Sequence, residues 1–411
     1  MRKQKLRFPL HYQIIVALVA GGFFGYYFPS ASEYTNWIGE IFLRGLNMII
    51  IPLITCSIIT GVASVGSGGN LGRLGLKTFG YYVISTLAAI LTGFFFVSVI
   101  RPGVGADLGF NIPVENISAA SDNFGKTLIK IVPNNIFEAM MQGQMLSIIF
   151  FAVLFGYFIT RVSNKPRIFM LDFFHAALEV IMKITLFVIK FTPLGIFSIT
   201  AKVIAGQVIA GNNISEIITR LGLYVVTVMA ALLFHAFITL PLSVKLIGKA
   251  KPVKHLKNVI TPLLTAFSTS SSNATLPLTM EAVEINDGVS NKIASFTLPL
   301  GATINMNGTA LYECVAVMFI AQAYGVELTM AQQLVVVFTA LLSAIGAAGI
   351  PMAGLVMMAV VLKAVGLPLE GIGLILAVDR ILDMFRTSVN VYGDTCCAVI
   401  IAKSEGEDLN I

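Results

Sequence analysis

Hydrophobic positions along this chain come in long continuous runs, without the two-residue alternation of a half-buried strand. Examples are "YYVISTLAAILTGFFFVSVI" (81–100), "MLSIIFFAVLFGYFI" (145–159) and "YVVTVMAALLFHAFITLPL" (224–242). A helix needs about 20 apolar residues to cross a bilayer, so such runs predict membrane-spanning helices. A β-barrel is excluded, because its strands alternate. Composition agrees: 12% of the 411 residues are charged, against roughly 25% in an ordinary soluble domain. The chain reads as an all-α integral membrane protein.

Charge then orients the spans. "YQIIVALVAGGFFGYYF" follows Arg2, Lys3, Lys5 and Arg7, but it is too long for a signal-peptide core and lacks a cleavage site. It is read as the first span, with the N-terminus cytoplasmic. Basic residues recur at Arg73 and Lys77, at Arg161, Lys165 and Arg167, at Lys245, Lys249, Lys251, Lys254 and Lys257, and at Lys403, while "PSASEYTN" and "AGNNISE" hold none. That alternation fits eight spans with both termini inside, in the inner (plasma) membrane. The net charge of +6 is thus an orientation signal, and no nucleic-acid partner is expected.

The pattern becomes irregular in the last third. From Lys251, "KPVKHLKNVITPLLTAFSTSSSNATLPLTMEAVEINDG" joins two apolar halves, each too short to span, through a run of hydroxyl residues. A soluble protein would make Ser268 to Thr275 a surface loop. Within a bilayer the same pattern describes a re-entrant hairpin over 252–287, whose freed backbone must face protein or water. A second pair of short halves, over 329–364, meets at "GAAGIPMAG" (346–354). Each hairpin precedes a span interrupted by polar residues, "FTLPLGATINMNGTALYECVAVMF" and "LILAVDRILDMFRTSVNVYGD". Hairpin plus broken span, twice, is the internal repeat expected of secondary transporters, which bind their cargo at midplane between discontinuous elements.

In the second of those spans, Asp383, Arg386, Asn390 and Asp394 fall within an arc of about 80° at about 100° per residue. The three charges facing lipid would together cost about 8 to 10 kcal/mol, so the stripe must face protein, ions or ligand. A purely structural Asp383–Arg386 pair at i,i+3 is the bland alternative, and it leaves Asn390 and Asp394 unexplained. Cys56, Cys314, Cys396 and Cys397 sit in apolar runs as small core residues, and the four histidines are scattered. No zinc spacing is present, and no resident cofactor is expected.

Taken together, "STSSSNATLPLTM", "NMNGTALYE" and "DMFRTSVNVYGD" resemble the glutamate transporter homologue family, the dicarboxylate/amino acid:cation symporters that include the excitatory amino acid transporters. The resemblance covers essentially the whole chain. It implies eight transmembrane helices, two re-entrant hairpins, inverted repeats, a homotrimer set among membrane lipid, and an elevator in which one part slides past another. The scaffold part would occupy approximately 8–65 and 130–201, and the transport part approximately 76–101 and 213–404. The implied substrate is an acidic amino acid, glutamate or aspartate. Arg386 would hold its side-chain carboxylate, Asp383 its ammonium, Asn390, Ser271 and Ser272 its α-carboxylate, and Thr309 would touch the side-chain end. Gly349 and Pro351 belong to the glycine-rich tip that would gate the site. Asp394, Asn390, Asn305, Asn307, Tyr82, Ser85 and Thr86 correspond to sodium ligands, and Glu313 to the glutamate that carries a proton.

Departures from the family pattern shift the expected coupling. Asn307 stands where many relatives have an anionic ligand, and Ala344 and Ala347 stand where relatives often have hydroxyls. A second family arginine is absent at Ser270 and Met384, with Arg380 one turn before Met384 as a stand-in. Co-transported protons are therefore favoured over sodium, with Asp394 still admitting one sodium ion. The alternative carriers are C4-dicarboxylate and neutral amino acid:cation symporters of the same family. An amine-free substrate has no use for Asp383, and a neutral one would leave Arg386 an unpaired buried cation. An anion channel would be told apart by the absence of saturable uptake. A serine hydrolase lacks a base near its nucleophile, so the chain is not expected to be an enzyme.

Overall fold

A computed structural model describes residues 10–65, 69–105, 129, 131–210, 214–346 and 353–411, and all regular structure among them is helical. The long apolar runs become α1 (Leu10–Tyr27), α2 (Asn36–Val65), α3 (Gly69–Ile100), α4 (Met145–Ile159), α5 (Asn164–Ile189) and α6 (Thr192–Ala210). α7 (Ile214–Phe234) continues through a π-helical turn at His235–Thr239 into α8 (Leu240–Leu246). By length and hydropathy, four helical stretches among the described residues can cross a membrane, and α5 with α6, bent by 50°, makes a fifth. The chain is a multi-pass membrane protein.

Two packed groups follow from which faces meet. α1 lies along α6, and α2 packs against α4, α5 and α6. Close approach is set by small residues: a Cβ added at Gly21 would lie 2.5 Å from the Phe197 carbonyl oxygen, and one at Gly25 would lie 2.3 Å from that of Ala201. The second group holds α3, α7 and the C-terminal elements. Here α9 (Pro252–Asn258) and α10 (Ile260–Thr269) rise to a tip at Ser270 and Ser271, and α11 (Ser272–Glu281) returns through a π turn at Ala282–Asp287. Ser270 takes φ +51°, a left-handed cap normally given to glycine. Ser271 then accepts a hydrogen bond from the Ala274 amide, opening α11 as its N-cap.

The expected break in the next span is present. α12 (Asn291–Ile304) and α13 (Asn307–Ala323) are separated at Asn305 and Met306, whose backbones leave helical geometry at ψ 87° and 55°. Every residue of α13 but Gln322 is buried. α14 (Met330–Gly346) and α15 (Ala353–Ala364) form the second pair of halves, and Gly349 and Pro351 lie outside the described residues. The last span departs from the expected repeat: α16 (Ile372–Ser404) is one unbroken helix. Its polar residues keep their side chains on one face and leave the backbone ladder intact, whereas "NMNG" removes the ladder itself.

Beyond α16 the chain folds back. Lys77 and Arg73, at the start of α3, bond Glu405 and hold its carboxyl below the usual carboxylate range. Glu407 accepts from the Ser290 amide at 2.9 Å and from its hydroxyl, and the Asn410 amide donates to the Asp287 carbonyl at 2.8 Å.

Candidate functional site

The polar stripe of α16 is buried: Arg386 is 0% exposed, Asn390 2%, Asp394 3% and Asp383 5%. It divides into two neighbouring constellations.

The first surrounds Arg386. Its Nη2 donates to Asp383 Oδ1 at 2.8 Å, and its Nη1 lies 3.1 Å from Asp379 Oδ1 as an ion pair without hydrogen-bond alignment. The guanidinium carbon sits 3.8 Å from the centre of the Tyr312 ring on α13, a cation–π contact. One cation is therefore held by two carboxylates and an aromatic face. Spacing exposed the Asp383–Arg386 pair but missed two members. Asp379 lies outside the stripe picked out by spacing, yet it turns inward to Arg386, while its neighbour Arg380 reaches Asp383 Oδ2 with Nη1 at 3.4 Å. Tyr312 looked like any core aromatic.

Glycines let this group close. A Cβ at Gly354 would meet Arg386 Nη1 at 3.0 Å and the Thr309 methyl at 3.3 Å, and one at Gly308 would meet the Arg386 carbonyl oxygen at 2.6 Å. Because the neighbour of Gly308 is backbone in a packed helix pair, Gly308→Ala is expected to destabilise by about 1 to 3 kcal/mol. Thermal unfolding in detergent measures this, and an unchanged midpoint refutes the assigned packing.

The second constellation collects amides, hydroxyls and one carboxylate at the α12–α13 break. Asn390 Oδ1 accepts from the Gly308 amide at 2.7 Å, and its Nδ2 donates to Thr309 Oγ1 at 3.2 Å. Asp394 Oδ1 accepts from Asn305 Nδ2 at 2.8 Å. Asn307 accepts from Thr86 Oγ1 and donates to Ser85 Oγ, both at 2.8 Å, tying α3 to α13. Tyr82 donates to the Thr297 carbonyl at 2.9 Å, and its hydroxyl converges with Asp394 on Gly301, whose added Cβ would be 2.4 Å from each. Asn305 Oδ1 is buried with no hydrogen-bond partner among the described residues. Among those residues no group of three or more His, Cys, Asp or Glu side chains has metal-binding geometry; a monovalent ion would have to use the Asp394 carboxylate together with the amide, hydroxyl and carbonyl oxygens gathered here.

Thr309 and Glu313 lie one turn apart on α13. Glu313 is fully buried, and neither of its carboxyl oxygens has a hydrogen-bond partner among the described residues. Ser271 and Ser272 are buried at the first tip; the hairpin meets α16 through Ser388 Oγ, which donates to the Leu263 carbonyl at 2.9 Å, and through the edge-on rings of Phe267 and Phe385. His255, one of the four scattered histidines, gave no sign of its role in the sequence. It is buried against Asp287, Thr395 and Tyr392. Its partners are far apart in the chain, so no local spacing could have shown them.

The profile of the sodium:dicarboxylate symporter family matches residues 10–404. The chain is 35% identical to the proton/sodium-glutamate symport protein of Geobacillus stearothermophilus over 99% of this chain and 96% of that protein. It is 33% identical to the proton/glutamate-aspartate symporter of Escherichia coli strain K12, over 98% and 94%. Excitatory amino acid transporter 3 of Homo sapiens is 36% identical over 92% and 80%. A match that runs unbroken from α1 through α16, and so takes in both constellations, places this chain in the sodium:dicarboxylate symporter family.

Proposed function

We propose that this protein is a secondary symporter of acidic amino acids, glutamate or aspartate, driven by protons in preference to sodium. The observation that carries the reading is Arg386, a fully buried guanidinium between Asp379 and Asp383. A planar fork of donors suits a carboxylate bidentately. Asp383, now on Nη2, is the group a substrate ammonium would draw off, leaving that edge of the guanidinium to the substrate's side-chain carboxylate. Thr309 and Asn390 bond each other beside it; Asn390 offers its amide to the α-carboxylate, and Thr309 its hydroxyl to the side-chain end. Ser271 and Ser272 complete the site from the first tip, and Gly349 and Pro351, outside the described residues, are the gating residues that this reading assigns to the second. In this reading both hairpins are re-entrant, the C-terminal group moves as an elevator against a trimeric scaffold of α1, α2 and α4 to α6, and the termini are cytoplasmic in the inner membrane.

Proton preference is supported by charge. Asp379, Asp383, Asp394 and Glu313 set four carboxyls against the two guanidinium groups of Arg380 and Arg386, and an acidic substrate adds a further negative charge. A buried carboxylate without donors is costly, and a proton on Glu313 removes that cost. At Asn307, meanwhile, an amide stands in place of a carboxylate, and its hydrogen occupies one of the two lone pairs that Ser85 could offer a cation. Asp394 with Asn305 leaves room for one sodium ion.

The test is uptake of labelled glutamate and aspartate into proteoliposomes with proton and sodium gradients imposed separately. An inward proton gradient in sodium-free buffer is expected to drive accumulation. An absolute sodium requirement overturns the coupling; transport of succinate without competition by either amino acid overturns the substrate.

A further inference from the structure

The base of the first hairpin contains a buried polar cluster that the substrate site does not use. His255, on α9, and Asp287, at the end of the returning limb, are each 0% exposed. His255 Nδ1 lies 2.7 Å from Asp287 Oδ2, and Nε2 lies 3.1 Å from Thr395 Oγ1 on α16. The imidazole is stacked on Tyr392, with ring centres 5.8 Å apart. Asp287 Oδ1 accepts from Asn258 Nδ2 at 2.8 Å, and Asn258 and Asn286 exchange bonds to each other's carbonyls at 3.1 and 3.0 Å. One side chain thus holds the two limbs together and fastens both to α16.

The place of that fastening matters. Thr395 follows Asp394 directly, and Tyr392 lies between Asn390 and Asp394. The hairpin's rising limb is also tied to α16 at Ser388 and Phe385, on the turn that carries Arg386. Two ties along one helix fix both the height and the rotation of the hairpin relative to the stripe; a single tie would leave it free to pivot. A displacement of about 1 Å at a binding group can lower activity by roughly 10²-fold. Two isolated buried polar groups would instead be a liability, so the cluster has a reason to exist beyond filling space.

We infer that His255, braced by Asp287, is a positioning residue that sets the first hairpin tip, Ser271 and Ser272, against Asn390 and thereby controls substrate affinity. The inference rests on the substrate-site reading given above. It differs from that reading in assigning a role to residues that touch no substrate.

Reconstituted wild type, His255→Leu, His255→Gln and Thr395→Val are compared for KM, for maximal uptake per folded transporter and for thermal midpoint. His255→Leu is expected to raise KM about tenfold or more, equivalent to at least about 1.4 kcal/mol of binding, with maximal uptake per folded transporter changed by less than about twofold. His255→Gln, which can keep one of the two bonds, falls between it and wild type. Thr395→Val, which leaves the limb-to-limb pair intact, repeats the KM effect should His255→Leu fail to fold. An unchanged KM in the variants that fold, with loss confined to amount or thermal midpoint, overturns the inference and leaves the cluster a stabilising staple. Wild type that takes up succinate but neither amino acid overturns the substrate reading alone, and the same KM comparison then runs on succinate. Wild type that transports none of the three overturns both.

Discussion

Arg386→Cys is expected to abolish uptake of glutamate and aspartate while leaving small neutral amino acids as substrates. A hydrogen bond to a charged group contributes about 1.5 to 3 kcal/mol, so losing a bidentate pair removes about 3 to 6 kcal/mol, or roughly 10² to 10⁴ in affinity. The lost cation also leaves two carboxylates, Asp379 and Asp383, with Arg380 alone to offset them, and the excess negative charge repels a second anion. A neutral side chain brings no such repulsion and meets a pocket widened by the shorter cysteine. Competition of labelled serine and labelled aspartate uptake in the same proteoliposomes provides the measurement. Retained aspartate uptake within about tenfold of wild type would remove Arg386 from the substrate site.

For Glu313→Gln, the expectation is loss of proton-driven accumulation with binding retained. Glutamine keeps the shape of the protonated acid in a pocket where neither oxygen has a partner among the described residues, so the fold and substrate affinity should resemble those of the protonated protein. What disappears is the change of charge. Net uptake against a gradient requires the proton to be delivered and released in each cycle; the variant should exchange internal for external glutamate yet fail to concentrate it. Its exchange rate should also lose its dependence on pH. Full accumulation by Glu313→Gln in sodium-free buffer would move the proton to another group.

Much of this site was legible because charge in an apolar run is conspicuous. Asp383, Arg386, Asn390 and Asp394 declared a shared face through helical spacing alone, and "NMNG" announced the break where Asn305 and Met306 leave the helix. Other features were hidden for physical reasons. Adjacent helical residues point about 100° apart, so Asp379 and Arg380, neighbours in sequence, diverge in space. Arg380 instead reaches Asp383, and Asp379 reaches Arg386. Tyr312 acts through its ring face, which leaves no polar signature in an apolar helix. His255 meets Asp287 and Thr395 only after the hairpin has closed and docked. α16 stays continuous because polar side chains alone do not interrupt a helix; an interruption requires the loss of backbone bonds.

The burial of all of α13 but Gln322 also bears on how the protein is made. The stretch from Asn291 to Ala323 has a mean hydropathy of 1.3 with its best window wholly inside the protein, whereas Arg73–Ile100 reaches 2.3 with a third of its window buried. Lipid selects strongly for the second and weakly for the first, since a buried helix answers to its neighbours. During synthesis, however, α13 emerges before α16, the element that supplies Asn390 and Arg386 to its polar residues. Thr309 and the ring of Tyr312 therefore meet their partners Asn390 and Arg386 only when the last helix arrives. A nascent chain halted before Ile372 should leave this segment readily extracted or degraded, and completion of α16 should be the step that commits it to the bilayer.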